Sequence, residues 1–345
     1  MQQTPRLSFA APVFAAAGMP TMRTPSMREA SWSDVRAMVL DVERLGYASA
    51  WFSDHLFHGR DGAFHESWTA LSMAAGFTDR IKLVNNHLGN GFRDARVMAK
   101  MATTLADATG DRFELFLATG YREREFTAYG LDWPSEEERL ARLAEAIKVI
   151  RLLWSGEQVS FDGEFYSLDD AVAMPTGKTA PFLWLGGPLN EISLELIARE
   201  ADGWNSFPLS LDAYREASAR VEAACRAIGR DPATLRRSLE TQVLVLDNDA
   251  EWGEWLRTWR TLRGEISLGP TYDAVAPRDL DDDVVTEACY RDFIVGTRDQ
   301  VEARISAYSE LGVTDLVCWF MDAPGTSSMT KLAEITALNP PTELK

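Results

Sequence analysis

Ala48-Ser49-Ala50-Trp51-Phe52-Ser53-Asp54-His55-Leu56-Phe57-His58 is an apolar run that stops abruptly in an Asp-His pair. A helical pattern precedes it, opening at Ser33-Asp34 and ending at Leu45-Gly46. Further along, Ile81-Lys82-Leu83-Val84-Asn85-Asn86-His87 repeats the design, an apolar run that delivers polar groups at its exit. All four histidines, His55, His58, His65 and His87, fall in this stretch. In a barrel of parallel strands the reactive groups sit at the C-terminal strand ends, so two consecutive exits carrying imidazoles point to an enzyme.

Working outward, strand-like and helix-like segments alternate from end to end. Strand patterns cover 6–11, 49–53, 81–85, 113–118, 182–185, 203–207, 241–246 and 315–320. The strongest helical periodicity runs from Glu136 to Trp154, through Leu140, Leu143, Ile147 and Ile150. A small hairpin is expected around Gly163. Eight strands alternating with helices predict an α/β fold, a (β/α)₈ TIM barrel in a single domain spanning 1–345. Residues 249–292 are more than a bare barrel needs and form an insertion between strand 7 and helix 7. This segment, with Trp252, Trp255 and Trp259 at helical spacing, reads either as a lid and pocket wall or as a packing appendage.

Composition excludes several function classes. A formal net charge of -17 is the wrong sign for nucleic acid or an anionic membrane. Three scattered cysteines, Cys225, Cys289 and Cys318, fit a reducing, cytoplasmic setting. Leu7 to Met19 faintly resembles a secretory segment, but Pro12 interrupts it, and a first strand explains it better.

The chemistry-bearing residues gather at strand exits. His55 and His58 have ligand-like spacing, yet no histidine follows residue 87, so no metal site is expected and acid/base work at His55 is preferred. Asp54 is the natural partner to fix its tautomer. Asp54 and Glu125 facing each other across a barrel mouth is the alternative pairing of two carboxylates. Gly186-Gly187, between the run Phe182–Leu185 and a helix start, suits close approach of a phosphate, although Pro188 removes one donor. Thr119-Gly120-Tyr121-Arg122 offers an open backbone, a stacking ring and a cation, with Arg124 as a second cation nearby. Met19, Met22 and Met27, with the insertion's tryptophans, suggest an apolar, adaptable pocket.

Taken in order, these pieces resemble the bacterial luciferase-like monooxygenases. The resemblance runs from Leu45-Gly46-Tyr47 and Trp51–His55 through Ala99–Asp107 and Gly110–Leu115. It continues in Gly120-Tyr121, Glu125-Phe126, Tyr129-Gly130 and Phe182–Gly187, and closes with Ala201–Trp204 and Leu311–Asp315. It implies an oxidoreductase using reduced FMN and oxygen on a small, largely apolar substrate, with a separate flavin reductase and a homodimer. The alternative it implies is a deazaflavin (coenzyme F420 type) dehydrogenase or reductase, and beyond that a non-catalytic flavin-binding subunit. It further implies a catalytic His55 assisted by Asp54, and cofactor contacts from Asn86, His87, Thr119, Gly120, Tyr121, Arg122, Gly186 and Gly187. A non-prolyl cis peptide is expected near Asn86-His87. Helices 2 and 3, carrying Met73, Ala74, Ala75, Met98 and Met101, are the expected subunit interface. Thr119 and Ala95 stand where family members often carry arginine and proline, and Asp111 where a second glycine is common.

Overall fold

The computed structural model describes residues 4–16, 23–265 and 281–338. Met19 and Met22 of the expected apolar loop lie outside them, and Met27 is buried.

The first half alternates as the sequence predicts. β1 (Arg6–Ala10) leads to α1 (Trp32–Leu45), β2 (Ser49–Ser53), α2 (Ser67–Ala75) and β3 (Lys82–Asn86). A two-residue β4 (Leu88–Gly89) precedes α3 (Ala95–Thr109) and β5 (Phe113–Ala118). Two helices then follow in succession, the short α4 (Glu123–Ala128) and α5 (Glu136–Trp154). The expected hairpin is β6 (Val159–Asp162) against β7 (Ser167–Ala171), antiparallel and apart from the main sheet.

The second half is β8 (Phe182–Gly186), α6 (Glu191–Glu200), β9 (Gly203–Ser206), α7 (Leu211–Ala227) and β10 (Arg236–Leu246). After α8 (Ala250–Glu265) and α9 (Asp282–Asp292) come β11 (Ile294–Thr297) and α10 (Arg298–Glu310). The described chain ends with β12 (Asp315–Phe320) and α11 (Ser327–Ile335). Eight of the strands, β1, β2, β3, β5, β8, β9, β10 and β12, pair in parallel and close on themselves through the β10–β9 and β10–β12 contacts. The closed barrel leaves no exposed edge in this ring.

Helix faces explain the outer layer. Val35, Met38, Val39 and Val42 of α1 fall at helical spacing and are fully buried against the barrel. Inside, the strand period of two places alternate residues in the lumen. Trp51, Phe116 and Trp184 fill its middle, with Trp51 and Trp184 ring centroids 5.3 Å apart. The lower end is polar: Trp184 donates to Glu114 Oε2 at 2.7 Å, and Arg236 bridges Glu114 (3.2 Å) and Asp315 (2.6 Å).

The segment between β10 and α10 forms its own small core. Trp252, Leu256, Trp259, Val285 and Cys289 pack with Leu244, Leu246 and Met321 at the strand exits. Among the described residues of this segment, the buried Trp252 and Trp259 pack in the core that holds α8 and α9 onto the barrel, as the packing-appendage alternative expects. β10 is 11 residues long, so it pairs with β9 at its start and with β11 at its end.

Candidate active site

The exit of β2 separates its two polar residues. The Asp54 carboxylate receives a two-pronged bond from Arg93 (2.9 and 2.8 Å) and the Gly89 N–H (3.2 Å). Asp54 is thus an anchor for the loop after β3, and the expectation that it orients His55 is corrected. That task falls to Glu125 on α4. Its carboxylate accepts from His55 Nδ1 at 2.8 Å, the Leu56 N–H at 3.0 Å and Arg122 at 3.3 Å. Glu125 is 1% exposed and His55 7%, so the pair is shielded from solvent.

An ionised carboxylate can only accept, so His55 carries its proton on Nδ1 and leaves the Nε2 lone pair for chemistry. Tyr121 donates its hydroxyl to that Nε2 at 3.1 Å. His58 stacks on His55 with centroids 4.8 Å apart. Burial, then the neighbouring His55 and the charges of Arg122 and Arg23, push the His58 pKa far below its ordinary value, so it stays neutral and its Nδ1 accepts from Arg122. Arg122, expected as a phosphate ligand, pairs here with Glu125 and His58. Among the described residues no group of three or more His, Cys, Asp or Glu is placed to hold a metal ion.

A second buried carboxylate was not anticipated. Glu240, fully buried on β10, accepts from Asn86 (3.0 Å), His87 (3.1 Å), Trp319 (2.9 Å) and Arg23 (2.5 Å). Burial alone would raise its pKa, but Arg23, His87 and Asn86 together hold it well below the usual carboxylate range. The signal was available: Ser238, Glu240 and Gln242 alternate along one face of a strand otherwise rich in Leu and Val. The described cis peptides are Met174-Pro175 and Ala323-Pro324, so the bond expected near Asn86-His87 is trans. The chain turns there instead by placing His87 at φ 57°.

Beside this pair of clusters lies a cavity of about 400 Å³. Its walls gather six predicted cofactor residues, His87, Thr119, Gly120, Tyr121, Gly186 and Gly187, with Phe116, Phe207 and Arg139. Asn86 sits behind the wall, on Glu240. A Cβ on Gly186 would lie 2.8 Å from the Phe116 ring and 3.0 Å from the Asn205 carbonyl oxygen, so glycine is required for the floor. α6 begins only at Glu191, and Asn190 already accepts its Ser193 N–H at 2.9 Å. The cation at the cavity is therefore Arg139, stacked 3.8 Å over Trp133 and missed in the sequence. A second cavity of about 200 Å³ adjoins through Thr119 and Arg139 and adds Arg142, Asn90 and Tyr166.

The sequence profile described as luciferase-like monooxygenase matches residues 8–315 of this chain. The chain belongs to the luciferase-like monooxygenase family. Within the family, a relative from Kineococcus radiotolerans named F420-dependent glucose-6-phosphate dehydrogenase is 29% identical over 307 residues, 86% of this chain and 89% of its own. One of that name from Intrasporangium calvum is 31% identical over 86% of this chain and 90% of its own. An F420-dependent hydroxymycolic acid dehydrogenase of Mycobacterium tuberculosis is 32% identical over 65% of this chain and 62% of its own. Among solved structures, an F420-dependent secondary alcohol dehydrogenase holding an F420-acetone adduct superposes with a TM-score of 0.78 at 18% identity, covering 98% of this chain and all of the other. The long-chain alkane monooxygenase LadA gives 0.77 at 12% identity, covering 98% of this chain and 91% of its own. Both share the barrel. The family consists of oxidoreductases that work with a flavin or a deazaflavin, and this chain is one of its enzymes.

Proposed function

We propose that this enzyme is a deazaflavin-dependent dehydrogenase that moves hydride between the cofactor and a small alcohol or carbonyl compound. The observation that carries the reading is His55, fixed by buried Glu125 at Nδ1 and bonded at Nε2 to Tyr121, a residue of the wall of the glycine-floored cavity. The residues fit a tricyclic cofactor: Gly186 and Gly120 keep the floor low, and Phe116, Phe207 and Tyr121 give flat apolar walls. Arg139 and Arg142 in the adjoining cavity suit an acidic tail longer than a single phosphate. The curated relatives near 30% identity bear deazaflavin-dependent names, which favours this cofactor over the reduced FMN of an oxygenase and removes the need for a separate flavin reductase.

When bound, the deazaflavin supplies the carbon that accepts or returns hydride. The protein's part is proton handling and positioning. His55 Nε2 is the site that gains a proton as an alcohol is oxidised, and Glu125 stabilises the imidazolium that results. Phe14 and Phe64 pack around His55 and His58, and the nearby cations Arg23 and Arg122 are already paired with Glu240 and Glu125. Those surroundings of His55 suit an uncharged, largely apolar substrate better than a sugar phosphate. The test is anaerobic bleaching of oxidised deazaflavin by a panel of secondary alcohols, with glucose 6-phosphate as comparator. Bleaching by neutral alcohols is expected. Oxygen uptake with reduced FMN and no bleaching would overturn the reading.

We also propose that the enzyme is a homodimer through α2 and α3. Ala74 and Met98 of the expected interface turn out to face the barrel, but Met73 and Val97 are exposed at 48% and 59%. Among the described residues no helix is long and apolar enough to cross a membrane.

A further inference from the structure

We propose that Tyr121 is itself a catalytic residue, whose hydroxyl meets the reacting oxygen of the substrate and relays its proton to His55. The inference rests on the hydride-transfer reading above and deepens it.

Three features of the geometry carry it. His55 has two ring nitrogens, and Glu125 holds one of them, so any proton gained must arrive at Nε2. Tyr121 closes that position with a 3.1 Å bond. The His55 ring is covered elsewhere as well, by His58 stacked at 4.8 Å and by the Phe64 ring edge-on at 5.4 Å. His55 is buried at 7% exposure, whereas Tyr121 is 55% exposed and forms part of the cavity wall. A substrate seated beside the cofactor on the Tyr121 side of the cavity therefore meets the phenol first, and reaches Nε2 directly only by displacing it.

The step balances. As the alcohol is oxidised, its O–H bond breaks and the proton passes to the Tyr121 oxygen. The Tyr121 proton passes at the same time to His55 Nε2. The hydride leaves the carbinol carbon for the oxidised deazaflavin, giving a carbonyl compound, reduced cofactor and an imidazolium beside the Glu125 carboxylate. Carbonyl reduction runs the same sequence backwards. Although the ring is exposed, the hydroxyl is turned in toward His55, and its desolvation there raises the Tyr121 pKa above the ordinary phenol value, with Arg23 and Arg122 pulling the other way, so the hydroxyl stays a donor in the resting enzyme.

The experiment places 3-fluorotyrosine at position 121 in the full chain. In the cofactor-free protein, the fluorine resonance is recorded with His55 present and with His55→Gln. A shift between the two is expected, because the phenol bonds to the imidazole. In the protein loaded with deazaflavin, single-turnover rates with 2-propanol, and with acetone in reverse, are followed against pH. Fluorine acidifies the phenol, so the alkaline limb of the profile is expected to move to lower pH. Tyr121→Phe is expected to lose roughly 10²- to 10⁴-fold in rate, the range for a general acid/base group, while binding deazaflavin as the parent does. An unmoved alkaline limb, or a Tyr121→Phe rate within about threefold of the parent, overturns the relay while hydride transfer stands. The fluorine shift without any cofactor reduction by alcohols overturns the hydride-transfer reading, and the relay with it.

Discussion

His58 makes acid stability a direct probe of the site. Its imidazole is 6% exposed, stacked on His55, and accepts from Arg122, so burial, His55 and two neighbouring arginines hold it neutral. The folded pKa is depressed while the unfolded value stays near 6.5. Below that pH the unfolded chain binds a proton that the folded chain refuses, so stability falls as pH falls. At about 1.4 kcal/mol per unit, moving from roughly pH 7 to roughly pH 5 removes about 2 kcal/mol through this residue. The carboxylates with lowered pKa values, Glu43, Glu66 and Glu240 among them, lose their contribution only below about 4.5, so this window isolates the histidines. His65, also lowered by burial, adds in the same direction in parent and variant alike. The assay is urea unfolding at both pH values for the parent and for His58→Gln, whose side-chain oxygen still accepts from Arg122. The variant should lose about 2 kcal/mol less on acidification. Equal losses in the two proteins would refute the buried, neutral imidazole and the Arg122 geometry built on it.

Other perturbations separate anchors from reactive groups. Arg93→Met strands the Asp54 carboxylate, 3% exposed, and should cost about 3–5 kcal/mol in denaturant unfolding, with Asp54→Asn/Arg93→Met losing less than Arg93→Met alone. Glu43 Oε1 accepts the N–H groups of Asp79, Arg80 and Ile81 at 2.9, 2.7 and 3.0 Å, so Glu43→Ala should cost about 3 kcal/mol or more by the same measurement. Gly186→Ala drives a methyl into Phe116 and the Asn205 carbonyl; a strain of about 1–3 kcal/mol should weaken deazaflavin binding by roughly tenfold or more in calorimetry. Val97→Glu should shift the light-scattering mass from dimer toward monomer, and an unchanged dimer would locate the interface elsewhere.

The barrel was legible because strand and helix periods differ and alternate along the chain. All eight barrel strands overlap the runs read from the sequence, although β10 begins five residues earlier than expected, at Arg236. β11 was missed since Ile294-Val295-Gly296-Thr297 is too short a run to stand out, and α4 because it lies in a stretch that reads as alternating charge. Site partners were harder. Asp54 looked like the natural mate of His55 because they are adjacent, but successive residues of extended chain point opposite ways, and Asp54 finds Arg93. Glu125 was visible as a carboxylate, while its contact with His55 spans 70 residues and depends on barrel closure. Arg122 shows a charge in the sequence and no target. The tryptophans of the insertion have helical spacing, which marks a buried face without saying whether it covers a ligand or other side chains.

The most direct test of the account is equilibrium binding of oxidised deazaflavin coenzyme against reduced FMN under anaerobic conditions. Deazaflavin binding at least about tenfold tighter, a difference of about 1.4 kcal/mol, and weakened by Arg139→Gln, is the predicted result. Tighter binding of reduced FMN, indifferent to Arg139, would contradict it and return the enzyme to oxygen chemistry.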